Sequence, residues 1–71
     1  MTSPEQLQQS LQGWADTQFP SRAQASEALA KAVGVSASSA RGYIDYRMDK
    51  AAYEIAYKVW KYLRQQGANG V

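Results

Sequence analysis

Apolar side chains recur along this chain at helical spacing, and polar caps divide them into four runs. Leu7, Leu11 and Trp14 fall at i, i+4 and i+7 behind Ser3-Pro4-Glu5-Gln6. There the serine can accept from an orphan amide, the proline suits a first turn and Gln6 completes a capping box. The spacing predicts a packing helix whose wet face is mostly glutamine and carries almost no charge. Gly13 weakens its end by about 1 kcal/mol relative to alanine. Thr17-Gln18-Phe19-Pro20 stops it, because proline disfavours helix in the residue before it. Ser21-Arg22-Ala23-Gln24 repeats the serine and glutamine spacing, with Phe19 placed to staple Ala25. The stripe Ala25, Ala28, Leu29, Ala32 and Val33 follows, and Glu27 and Lys31 pair at i, i+4 on the opposite side. Gly34 ends this second helix, where the left-handed backbone costs glycine nothing.

Val35 then places an apolar side chain in the turn, and Ser36 is positioned to cap a third helix from Ala37 to about Met48. Ala40, Tyr43, Ile44 and Met48 are its expected inner face, with Ser38, Ser39, Arg41, Gly42, Asp45 and Arg47 outside. Asp49 is the expected cap of a last helix, whose stripe Ala52, Ile55, Ala56, Val59 and Leu63 ends near Gly67. The expected fold is all-α, a compact bundle of about four helices in one domain over residues 1–67. Residues 68–71 are read as a fraying tail.

Composition narrows the function. At 71 residues folding buries only about 60% of the unfolded chain's surface, so one small core is the most to expect. Apolar residues at 45% and charged residues at 20% are enough to build it. There is no cysteine and no histidine, so no disulfide, thiolate cluster, imidazole base or common zinc ligand is on offer. Glu5, Asp16, Glu27, Asp45, Asp49 and Glu54 are the only carboxylates, and a chain this short rarely encloses a pocket that tunes them. A binding protein is therefore expected, not an enzyme, with no cofactor, metal or small-molecule substrate. No apolar run is long enough for a signal peptide or a membrane span, which fits a cytoplasmic protein without a membrane partner.

The run Leu29-Ala30-Lys31-Ala32-Val33-Gly34-Val35-Ser36, followed by Ala40 and Tyr43-Ile44, resembles the helix-turn-helix signature of small prokaryotic DNA-binding regulators. The likeness covers about residues 26–45. In that motif an alanine four residues before the turn glycine lets the helices cross closely, the glycine takes the turn geometry, and the next apolar residue plugs the corner. Ala30, Gly34 and Val35 match those roles. Ala40, where a larger branched residue is usual, and Gly42, at an outward position, depart from the pattern. The resemblance implies a Cro- or repressor-like helical domain of phage or plasmid type that binds double-stranded DNA and represses transcription, as a homodimer reading two half-sites. An accessory DNA-binding factor would share the same surface.

Charge agrees with that implication. Residues 1–35 carry Arg22 and Lys31 against Glu5, Asp16 and Glu27, a net of −1. Residues 36–71 carry Arg41, Arg47, Lys50, Lys58, Lys61 and Arg64 against Asp45, Asp49 and Glu54, a net of +3. On the resemblance, Arg41 is the residue for a two-pronged contact to guanine. Ser38 and Ser39 reach bases or phosphates, and Ser36 the backbone. Gly42 lets the chain lie close to DNA. Arg47, Lys50 and Arg22 meet phosphates, while Asp45 accepts from a cytosine amino group, repels phosphate or orients Arg41. Lys58, Lys61 and Arg64 also read as an ordinary solvated helix face.

Tyr53, Tyr57, Trp60 and Tyr62 give the last helix, about residues 50–66, more aromatic surface than one small core needs. Either these rings close the core with their polar tips outward, or Tyr53, Tyr57 and Trp60 form a homodimer interface. The competing function is a protein-interaction module, antitoxin-like or inhibitory, that works through this helix.

Overall fold

The computed structural model describes residues 3–68, and it is built of helices throughout. Helix α1 runs Pro4–Gln18, α2 Arg22–Val33, α3 Ala37–Gly42 and α4 Tyr53–Gln65. Between α3 and α4 the chain continues through a single π turn, Tyr43–Arg47, and a 3₁₀ turn, Met48–Lys50. The four expected helices are present, but the third does not continue as an α-helix to Met48.

The starts of the helices follow the sequence closely. Ser3 accepts from the Gln6 amide and Gln6 returns a bond to Ser3, both at 3.3 Å, with Pro4 in the first turn. Ser21 likewise accepts from the Gln24 amide at 3.3 Å, although Gln24 makes no return bond, so this second box is half formed. Ser36 accepts from the Ser39 amide at 3.1 Å and caps α3. Helix α4 departs from expectation. Asp49 lies within the 3₁₀ turn, three residues too early to cap, and the N-cap is Ala52 with no side-chain bond.

The ends of α2 and α4 are set by two left-handed glycines. Gly34, at φ 76°, turns α2 so that the Gly34 and Val35 amides both reach the Ala30 carbonyl, at 2.9 and 3.1 Å. Gly67, at φ 73°, closes α4 with bonds from Gly67 to Arg64 and from Ala68 to Leu63, the paired pattern of a Schellman turn. Ala68 is thus held, and it packs against the core instead of fraying. The remainder of the expected tail, residues 69–71, lies outside the described residues.

One core joins all four helices. Leu7, Leu11, Trp14 and Ala15 of α1 meet Ala25, Leu29 and Val33 of α2, Ala40, Ile44 and Met48 of the third segment, and Val59 and Leu63 of α4. Trp14 closes it with edge-on contacts to Phe19 at 5.1 Å and Tyr62 at 5.4 Å between ring centroids. Burial pushes the Tyr62 phenol above its ordinary pKa. Ala32 and Ala52, expected in the apolar stripes, are exposed instead. Conversely Ser26 is buried, and its hydroxyl donates to the Arg22 and Ala23 carbonyls, at 2.9 and 2.8 Å. Among the described residues no helix is long and apolar enough to cross a membrane.

Candidate nucleic-acid interface

The third helical segment is positioned by two glutamines of α1. Gln8 donates from Nε2 to the carbonyls of Tyr43 and Ile44, both at 2.7 Å, and its Oε1 accepts from the Met48 amide at 2.8 Å. One turn further along, Gln12 donates to the Asp45 carbonyl at 3.1 Å. A π turn disturbs the regular backbone ladder, and any backbone group it leaves half-buried needs another partner. The amide side chains supply those partners. Glutamines at i, i+4 look like ordinary solvated residues in sequence, and nothing local marks these two as ligands of a backbone 33 to 40 residues away.

Four charged side chains then form a continuous chain across three helices. Asp16, near the end of α1, takes a forked pair of bonds from Arg22 of α2, Nε at 3.0 Å and Nη2 at 3.1 Å. The third guanidinium nitrogen, Nη1, donates to Asp45 Oδ1 at 3.0 Å. Asp45 Oδ2 in turn accepts from Arg41 Nε at 2.9 Å, one helical turn earlier on the same segment. Hydrogen bonding to Arg22 holds the Asp16 carboxyl below its ordinary pKa against slight desolvation. At Asp45 burial pushes upward, but the bonds from Arg22 and Arg41 outweigh it and the pKa is lowered. The same two carboxylates raise the pKa of Arg22. The four charges cancel, so the cluster orients side chains more than it attracts phosphate.

This arrangement distinguishes the arginines. Arg22 has all three guanidinium nitrogens engaged with carboxylates. Arg41 is exposed and uses only Nε, leaving both terminal nitrogens outside the ion pairs. Arg47 folds back along its own helix, over the rings of Tyr43 at 5.5 Å and Tyr46 at 6.0 Å. Its Nε is buried without a hydrogen-bond partner. Gly42 makes this possible, since a Cβ there would stand 2.7 Å from Arg47 Nε and 2.9 Å from Nη2. The glycine that departs from the helix-turn-helix pattern is therefore occupied by a neighbouring side chain.

The remaining expected residues are spread over the start of α3, the 3₁₀ turn and α4. Ser38 is exposed on α3, and Ser36 and Ser39 bond each other through their hydroxyls at 3.1 Å. Lys50 is exposed beyond the π turn. Tyr46, not singled out from sequence, is 69% exposed beside Arg47, on the outer face that regular helical spacing from Ala40 and Ile44 gives it. On α4, Tyr53 and Tyr57 are exposed at 73% and 43%, whereas Trp60 is half-buried. Tyr57 and Trp60 are 5.9 Å apart at 33°, and Arg64 sits 4.9 Å above Trp60. Among the described residues no cluster of carboxylates could hold a metal ion. No family model, curated protein or solved structure matches the chain.

Proposed function

We propose that the chain binds double-stranded DNA in a sequence-specific manner, with α2 and α3 as a helix-turn-helix and Arg41 as the principal base-reading residue. The observation that carries this reading is the Arg41–Asp45 pair, anchored through Arg22 to Asp16. An arginine held at Nε by a carboxylate offers its two terminal nitrogens in a fixed plane, the geometry that suits guanine O6 and N7 in the major groove. Fixing it beforehand lowers the entropy lost on binding. The left-handed Gly34, the half-buried Val35 and the Ser36 cap support the same reading.

On this reading Asp45 positions Arg41. Ser38, Ser39 and Lys50 lie along the outer side of the segment for backbone contacts, as phosphate contacts orient a reader without specifying sequence. Arg47 is a phosphate contact only after leaving Tyr43 and Tyr46. The chain acts as a homodimer on paired half-sites, and the outcome is repression of transcription by a regulator of phage or plasmid type. Selection from a random duplex pool tests this. Enrichment of one pseudo-palindromic site supports it, and recovery of unselected duplex at every salt concentration overturns it.

The α4 surface favours a second reading, an interaction module for another protein. Its support is the exposure of Tyr53 and Tyr57, since aromatics are enriched at interface centres. Capture of one heterologous partner, lost with Tyr57→Ala and unaffected by Arg41→Ala, would favour it.

A further inference from the structure

The exposed side of α4 carries a seam that the core does not use. Tyr53, Tyr57, Trp60 and Arg64 are spaced by four, three and four residues, the alternation that keeps one stripe facing a partner helix in a coiled coil. Tyr53, Tyr57 and Arg64 are exposed and Trp60 is half-buried, while Val59 and Leu63 point into the core. Beside this seam, at positions that follow Tyr53 and Trp60, stand Glu54 and Lys61. Both are exposed, and neither has an ion-pair partner within the described residues.

The order of those charges distinguishes the possible occupants. In a parallel pair of α4 helices Glu54 would lie level with Glu54 of the other copy, and Lys61 with Lys61. Turned antiparallel, each Glu54 meets Lys61 of the partner subunit, twice by symmetry. An alignment within two residues of that one, about 3 Å along the axis and inside the reach of the long Glu54 and Lys61 side chains, sets Tyr57 against the partner's Trp60, and Tyr53 against the partner's Arg64. That arginine already sits over its own Trp60 at 4.9 Å, so the seam would become a continuous aromatic and guanidinium stack.

We infer that α4 pairs antiparallel with α4 of a second copy of this chain, with Glu54–Lys61 ion pairs on both sides of a two-fold axis. This deepens the homodimer reading above and does not require DNA. A 13-residue helix is about 20 Å long. A single helix pair of that length buries less than the roughly 1,200 Å² at which stable complexes begin. The dimer is therefore weak and concentration-dependent, with a Kd on the order of micromolar or above.

Sedimentation equilibrium of the full chain without DNA is the test, over a range up to about 1 mM so as to span weak association. A monomer–dimer equilibrium is expected. Glu54→Lys or Lys61→Glu alone should weaken it about tenfold by placing like charges together, and the double exchange should restore most of the loss. A monomer throughout, or charge reversals without effect, would overturn the pairing while leaving DNA recognition to its own assay. Because the chain has no cysteine, single-cysteine variants provide an independent check on orientation even if the double exchange perturbs α4. A short bis-maleimide linker should join Glu54→Cys to Lys61→Cys faster than it joins either variant to itself. Faster self-linking of both variants would mean parallel packing and would overturn the inference.

Discussion

Gln8 accepts the backbone amide of Met48 at 2.8 Å across forty residues of chain, while its amide nitrogen holds the carbonyls of Tyr43 and Ile44. One side chain of α1 thus secures both ends of the π turn that carries Asp45. The ion-paired Arg41 depends on that register, because Asp45 lies inside the turn.

Removing the clamp should cost stability. Gln8→Ala leaves three part-buried backbone groups without their partner, an expected loss of about 2 kcal/mol, or roughly 10 °C in Tm for a domain of this size. Gln9→Ala, on the exposed side of the same helix, should stay within about 0.5 kcal/mol of the parent. Urea and thermal unfolding compare the two, and equal effects would remove the clamp from the explanation.

Gly42 and Arg47 should be coupled. Alanine at position 42 gains about 1 kcal/mol in helix propensity, but its Cβ meets the Arg47 guanidinium and expels it from its place over Tyr43. The Gly42→Ala gain should appear fully only in an Arg47→Ala background. A double-mutant cycle in unfolding free energy should therefore show a coupling of at least about 0.5 kcal/mol, and additivity would contradict the packing described.

Two glycines should respond in opposite directions to alanine. Gly34 is left-handed at φ 76°, so Gly34→Ala should destabilise by about 1–2 kcal/mol. Gly13 lies in helical backbone with open space around its Cβ direction, and Gly13→Ala should stabilise by up to about 1 kcal/mol. Unfolding midpoints report both.

Acid should weaken the fold through Asp16 and Asp45. Each has a pKa lowered in the folded protein, so each contributes stability that is present above the ordinary aspartate value of about 4 and is lost as pH falls through the lowered one. Stability measured from pH 6 downward should decline below about pH 4. In Asp45→Asn the decline should be shallower, because one of the two linked carboxylates no longer titrates.

Most of the architecture was legible because short-range chemistry specifies it. Ser3, Ser21 and Ser36 cap the helices they precede, and Gly34 and Gly67 take the left-handed backbone that ends α2 and α4. Asp49 misled because a capping side chain is recognised by type, whereas the 3₁₀ turn that displaced it depends on how Met48 seats in the core. Arg41, Arg22 and Asp45 were identifiable by charge, and one of Asp45's open roles was to orient Arg41. Their linkage through Asp16 was not, since it joins helices whose approach is set by packing. Gln8 and Gln12 were the least visible of all, because an uncharged polar residue reads as solvated until the distant backbone it bonds is in place.

The measurement that bears most directly on DNA reading is a comparison of parent and Arg41→Ala on a selected duplex and on an unrelated duplex, across several salt concentrations. Loss of the base contact should weaken binding to the selected site by about 1–3 kcal/mol, roughly 5- to 150-fold. Affinity for the unrelated duplex should change far less, with a salt slope altered by at most about one charge. Equal losses on both duplexes, or none on either, would contradict Arg41 as a base-reading residue and with it the proposed function.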